Sequence, residues 1–269
     1  MILGVLTDLH VVQDDGRRAA WHNEYDFAGV RGRIERGFEL FAREGVETAL
    51  LLGDLAHDGD LASLRDALAP SVDALVVGGN HDGARPTERL AEAGLVRPRL
   101  PGWRARSAGG GVGIAGLRVL RRARGSWAAT RPPALATWGE RTVLLASHFP
   151  VLSRADHVRD QRLPYAGDLV NRARLEAPLA ARRAPTVVLC GHLHVRDSFA
   201  TGAVLQLACG ALIEPPFEAT ILRIEPDRCG GLRLERSAYE LGRAPERRNP
   251  RLAPADETWR FTRGRGWRT

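Results

Sequence analysis

Seven side chains able to hold a metal ion stand at the ends of five short apolar runs: Asp8 and His10, Asp54, Asn80, His148, and His192 with His194. His81 follows Asn80 directly, so five of the 8 histidines fall at these ends. A core or surface role explains any single histidine, but it does not explain five at successive run ends interleaved with carboxylates. Imidazoles and carboxylates without thiolates suit Mn, Fe, Zn or Co rather than a structural zinc. Asp8-x-His10 and His192-x-His194 have i, i+2 spacing, and a turn just past a strand can converge each pair on one ion. The donor set exceeds what one zinc needs, so two ions sharing a carboxylate is the economical count. Two metals about 3.5–4 Å apart can activate a bridging water and hold both oxygens of an in-line phosphoryl displacement.

The runs themselves, Ile2–Asp8, Thr48–Asp54, Ala74–Asn80, Val143–His148 and Val187–His192, read as buried strands bounded by turn residues. Helical spacing of Ile34, Phe38 and Phe41 predicts a helix over Arg31–Glu44, stopped by Gly45. Leu61–Leu68 and Thr87–Ala93 read as two more helices, and Asp168–Arg183 as a helix interrupted by Pro178. Val112–Leu117 is a further strand. Val204–Cys209, Thr220–Glu225 and Leu232–Tyr239 lack intervening helices and suggest antiparallel strands. Alternating β and α followed by a β-rich half argues for an α/β layered architecture with helices outside packed sheets. The last 29 residues read as a loosely packed extension, giving a domain over 1–240 and an Arg-rich extension over 241–269.

Composition narrows the classes. The chain has 269 residues, 44% apolar and 26% charged, which excludes general disorder and fibrous folds. No apolar run approaches the roughly 18 residues of a spanning helix. Asp8 interrupts any signal-peptide core at the start, so the cytoplasm is the expected compartment. The three cysteines support neither a disulfide framework nor a thiolate zinc site. All 39 basic residues are arginine, and the formal charge of +7 is unevenly spread. Residues 1–92 hold 9 arginines against 17 acids, whereas residues 93–139 hold 9 arginines and no acid.

The ordered blocks Asp8-x-His10, Gly53-Asp54, Gly79-Asn80-His81-Asp82, His148 and Gly191-His192-x-His194 resemble the calcineurin-like metallophosphoesterase superfamily. Each block is weak alone, while all five in order are highly specific. The pattern is nearest to the cyclic-nucleotide and glycerophosphodiester phosphodiesterase branch. The resemblance implies a four-layer αββα sandwich of two mixed sheets with helices on the outer faces. It also implies that Asp8, His10 and His194 bind one metal, that Asn80, His148 and His192 bind a second, and that Asp54 bridges them. The two ions would be divalent or trivalent Mn, Fe or Zn. His81 would contact the phosphate and assist the leaving oxygen. Many members read Gly-Asp-x-x-Asp in the second block, where this chain has Gly53-Asp54-Leu55-Ala56-His57-Asp58, so His57 and Asp58 both remain open as orienters of His81.

The expected activity is dimetal hydrolysis of a small phosphodiester, with a metal-bridging hydroxide as nucleophile. The alternatives are a phosphomonoesterase, a nuclease of the same fold or an inactive phosphoesterase-fold scaffold. The long segment Val11–Ala28, with Arg17, Arg18, His22, Asn23 and Tyr25, is a candidate pocket rim. Asn23, Tyr25, His57 and Asp58 are candidate substrate contacts, and Arg154, His157 and Tyr165 lie after His148. Arginines with Trp259, Phe261 and Trp267 would serve a nuclease as charge and stacking surfaces, a partner class ranked behind a small phosphate ester. No membrane partner is expected.

Overall fold

The computed structural model describes residues 1–12, 25–57, 74–83, 106–108, 112–129, 139–160, 167, 169–226, 231–242 and 253–269. In chain order the elements are β1 (Ile2–Leu6), α1 (Phe27–Arg43), β2 (Thr48–Leu52), β3 (Ala74–Val77), β4 (Arg106–Ala108) and β5 (Val112–Gly116). There follow β6 (Val119–Arg121), β7 (Trp127–Ala129), β8 (Thr142–Ala146), α2 (Ala155–Asp160), α3 (Ala173–Ala180), β9 (Thr186–Cys190) and β10 (Asp197–Thr201). The chain ends through β11 (Val204–Ala208), β12 (Glu218–Pro226), β13 (Leu232–Glu240), β14 (Asp256–Thr262) and β15 (Gly266–Arg268).

Two mixed sheets form. One runs β15-β14-β13-β12-β1-β2-β3, and the other runs β10-β11-β9-β8-β5-β4. Strand periodicity sends Leu3, Val5, Leu50 and Leu52 of the first sheet against Ile114, Leu144, Val187 and Leu205 of the second. The opposite face of the first sheet, through Leu6, Ala49 and Leu51, meets Val30, Ile34, Phe38 and Phe41 of α1. Leu145 and Val188 on the outer face of the second sheet meet Leu175 and Leu179 of α3. The result is the expected αββα sandwich. The outer helix comes close: a Cβ on Gly4 would lie 2.6 Å from the Phe41 ring.

Helix α1 begins four residues before the sequence signal at Arg31, because Asp26 caps it by accepting from Gly29 N at 3.0 Å. Gly45 closes it at φ +68°, as its position predicted. Leu61–Leu68 and Thr87–Ala93 lie outside the described residues. Among the described residues of the expected Asp168–Arg183 helix, Ala173–Ala180 is helical, with Pro178 inside. Among the described residues no helix is long and apolar enough to cross a membrane.

Two expectations are corrected. β11 is not part of an antiparallel series: it pairs parallel with β9 and antiparallel with β10. Gln206 looks like the polar member of an alternating strand, but it is buried, and its Oε1 accepts from Val151 N and Leu152 N at 2.8 and 2.7 Å. The described stretch 253–269 of the tail is not loosely packed. β14 pairs with β13, β15 pairs with β14, and Trp259, Phe261 and Trp267 are buried between the sheets rather than offered for stacking. Trp267 Nε1 donates to Ala203 O at 2.9 Å, which ties the C-terminus to the second sheet.

Trp267→Ala should therefore destabilise the protein by about 3–5 kcal/mol, measured by urea unfolding. A loss below about 0.5 kcal/mol would be the result for an exposed tail residue.

Candidate metal centre

The C-terminal ends of β1, β2, β3, β8 and β9 meet at one end of the sandwich, where open α/β sheets bind ligands. The loops that carry the site are laced together by backbone hydrogen bonds. Asp8 N donates to Gly53 O at 3.1 Å, His10 N to Asp54 O at 2.8 Å, and Gly191 N to His148 O at 3.0 Å. The two sheets are joined where His192 N donates to Asp8 Oδ2 at 3.1 Å. Asp8, His10, Asp54, His192 and His194 all have φ between 48° and 64°, five of the seven non-glycine residues described with positive φ. Left-handed backbone of this kind costs about 1–2 kcal/mol per residue and clusters at functional sites. It turns the chain sharply past β1, β2 and β9, so that Asp8 and His10 converge on one group of donors; His192 and His194, whose spacing suggested a single ion, instead face different groups. Gly53 at φ +90° needs glycine for a second reason: a Cβ there would lie 2.7 Å from His148 Nδ1.

The structure brings all seven sequence-predicted ligands together. The ligand atoms of Asp8, His10 and His194 lie within 4.8 Å of one another, and so do those of Asp54, His148 and His192. Asp54 Oδ2 faces both groups, 3.7 Å from His10 Nε2 and 3.3 Å from His148 Nε2. Asn80 Oδ1 and His192 Nδ1 lie 3.0 and 3.2 Å from His148 Nε2. His194 Nε2 sits 3.2 Å from Asp8 Oδ1.

These residues fit a pair of cations. His10 Nε2 is buried with no hydrogen-bond partner, a costly arrangement for a polar atom that a cation would relieve. The outer nitrogens of the inward-facing rings are anchored: His148 Nδ1 on Leu52 O at 2.8 Å, His194 Nδ1 on Glu214 Oε1 at 2.7 Å, and His10 Nδ1 against His57 Nδ1 at 3.1 Å. The carbonyl and the carboxylate can only accept, so they hold a hydrogen on Nδ1 of His148 and of His194 and turn Nε2 toward the centre.

Electrostatics follow from burial. Desolvation opposes ionisation of Asp8, but His194 and His148 hold its carboxyl down at about 2. Asp54 is likewise held well below the usual carboxylate range, against burial, by His148 and His10. Burial disfavours charge on His148 and His194, yet Asp54 raises the first to about 9, and Asp8 with Glu214 raises the second to about 10. Burial keeps His10 well below its ordinary value and, with His148 beside it, lowers His192 to about 3.

His81 is half-buried at the edge of the cluster. Its backbone N donates to Asp54 Oδ1 at 2.8 Å, and its ring lies 4.8 Å from that of His10. Tyr25 is half-buried over the same edge, 5.0 Å from His10 and nearly parallel to His194 at 5.7 Å. Burial raises its phenol above the ordinary value. His57 is buried behind these rings and offers no surface to a substrate. Arg17, Arg18, His22, Asn23, Asp58 and Tyr165 lie outside the described residues. Arg154 grips Asp197 with two hydrogen bonds, 2.6 and 3.1 Å, and His157 lies 3.5 Å from the same carboxylate.

Two residues had no role assigned from sequence. Glu214 sits before Pro215-Pro216 with no spacing signal to mark it. Asp82 belongs to the third block, and its carboxylate accepts from Leu55 N, Ala56 N and Gly79 N at 2.8–3.0 Å, stapling the loop after β2 to the loop after β3. Burial, with repulsion from Asp54, pushes Asp82 up to about 6.

The family model for calcineurin-like phosphoesterases matches residues 1–196. The fold is similar to that of a dimetal phosphatase from Danio rerio, at 14% identity over 96% of this chain and 98% of that one, with a TM-score of 0.67. It is also similar to the purple acid phosphatase PPD1 from yellow lupin (Lupinus luteus) seeds. That likeness has 12% identity over 88% of this chain and 51% of the other, with a TM-score of 0.57. No curated protein matches in sequence.

At pH 7 His148 and His194 are protonated, so cations entering the cluster must displace both protons. Loading with Mn²⁺ should release about two protons per molecule, read by calorimetry in buffers of different ionisation enthalpy. Because these pKa values lie above 7, affinity should weaken as pH falls. Uptake without proton release would show that both imidazoles start neutral.

Proposed function

Since the chain belongs to the calcineurin-like phosphoesterases, we propose that it is a dimetal phosphohydrolase acting on a small phosphodiester. The observation that carries this reading is the single carboxylate Asp54 set between two groups of convergent donors, with His81 at their rim. Asp8, His10 and His194 would hold one ion and Asn80, His148 and His192 the other, with Asp54 shared. Bound there, two cations supply Lewis-acid activation of a water nucleophile and neutralise charge on the phosphate oxygens. The donor set suits Mn, Fe or Zn.

The protein's own groups do the rest. Leu52 O, Glu214 and His57 keep the three inward-facing imidazoles in place, so that the ligands need no rearrangement during turnover. His81, fixed through its backbone to Asp54, is the one histidine of the cluster placed to meet substrate without serving as a ligand. An imidazole there can hydrogen-bond the phosphate and give a proton to the departing oxygen. The diester preference rests on the resemblance of the blocks to the cyclic-nucleotide and glycerophosphodiester branch. The protein Ser/Thr phosphatase branch is disfavoured because its Gly-Asp-x-Val-Asp-Arg-Gly and Gly-Asn-His-Glu variants are absent from the blocks.

With Mn²⁺ present, bis(p-nitrophenyl) phosphate should be turned over faster than p-nitrophenyl phosphate. A strong monoester preference would overturn the diesterase assignment. His81→Ala should lower kcat by about 10²–10⁴-fold while Mn²⁺ uptake is retained. A wild-type rate in that variant would remove His81 from the mechanism.

A further inference from the structure

His57 is 1% exposed and cannot touch a substrate, yet it meets both halves of the proposed chemistry. Its Nδ1 lies 3.1 Å from His10 Nδ1. Its ring is nearly parallel to that of His81, at 15° and 5.1 Å between centroids. Phe27 packs edge-on against the same ring at 5.2 Å, and the His57 backbone N donates to Val11 O at 3.0 Å. The residue is therefore rigidly seated between a ligand and the histidine at the rim.

We propose that His57 is a positioning residue with two separable effects. It is the acceptor that fixes His10 for its cation, and it is the aromatic wall that fixes the His81 ring. The inference rests on the dimetal reading above and assigns a residue to it. The proton arrangement follows from placing a cation at His10 Nε2. For His10 to present a lone pair at Nε2, its hydrogen must sit on Nδ1, where it is donated to the Nδ1 lone pair of His57. The hydrogen of His57 is then on its own Nε2. The other two inward-facing rings are anchored by a carbonyl, Leu52 O, and by a carboxylate, Glu214. Only the His57 anchor also bears on His81, so that ligand geometry and proton delivery share one side chain.

Two substitutions separate the effects. His57→Phe keeps a ring under His81 but leaves the His10 Nδ1 hydrogen without an acceptor. It should weaken one of two Mn²⁺ sites by roughly 10–100-fold in calorimetry, with the lost activity restored by added Mn²⁺. His57→Asn keeps an acceptor and removes the ring. Its Mn²⁺ binding should stay near wild type, while kcat falls roughly 10–100-fold at unchanged KM and is not restored by Mn²⁺. Mn²⁺ binding at both sites as in the wild type would overturn the first effect in His57→Phe. An undiminished kcat would overturn the second in His57→Asn. Two NMR measurements on the wild type need neither variant nor substrate: scalar coupling across the His10 Nδ1–H···Nδ1 His57 bond, and an upfield ring-current shift of the His81 ring protons. Absence of the coupling overturns the first effect, and absence of the shift overturns the second. If the wild type cleaves neither ester, the proposed function fails while these measurements and Mn²⁺ binding still decide the role of His57.

Discussion

Two buried carboxylates govern this molecule. Asp8 and Asp54 are 0% and 2% exposed and both are held ionised. A buried carboxylate is tolerated only when its charge is met at close range. The carboxylates stand after β1 and β2 of the first sheet, and the meeting charges come from the second: His148 from beyond β8 and His194 from beyond β9. The sandwich therefore closes around its polar end as much as around its apolar core. The bonds from His192 N to Asp8 Oδ2 and from His148 Nδ1 to Leu52 O are among those that tie the two sheets at that end.

Backbone conformation is the second half of this constraint. Donors beyond five separate strands share two carboxylates, and at three of those strands the chain turns sharply to bring them in. The left-handed residues Asp8 and His10 after β1, Asp54 after β2, and His192 and His194 after β9 supply those turns. Five such residues carry strain on the order of several kcal/mol, and it is offset by bonds that reach across loops. The Asp82 carboxylate, with three backbone N–H donors, is the clearest of these. Its rise to about 6 comes from burial first and from repulsion by Asp54 second.

Much of this was legible in the sequence because the ligands are local in kind. Each sits at the end of an apolar run, and run ends are visible without knowing what lies beside them. The anchors are not legible in that way. Glu214 becomes the partner of His194 only when the segment after β11 folds back over the site, a contact between residues 20 apart with no periodic mark. Gln206 shows a related limit, since a buried polar side chain that bonds a neighbouring loop has the same sequence pattern as a solvent-facing one. The tail was misread because arginine dominates its composition, whereas the alternate residues Trp259 and Phe261 decide its strand face.

Charge shows the same separation between composition and placement. An arginine surplus suggests a phosphate-binding surface, but several of these side chains are committed to structure. Arg236 is 1% exposed, donates to Asp197 O at 3.0 Å and pairs with Glu257, joining β13 to β14 and β10. Arg196 pairs with Glu218, Arg154 grips Asp197 with two bonds, and Arg33 binds Asp26 while lying 4.1 Å from the Phe217 ring. These are uses of a planar, always-charged fork that lysine does not reproduce. These four arginines belong to the scaffold, so the surplus does not by itself mark a phosphate-binding surface; in the proposed reading the phosphate would meet the cluster at the strand ends. The acidic first 92 residues, not the net charge of +7, describe the surroundings of that chemistry.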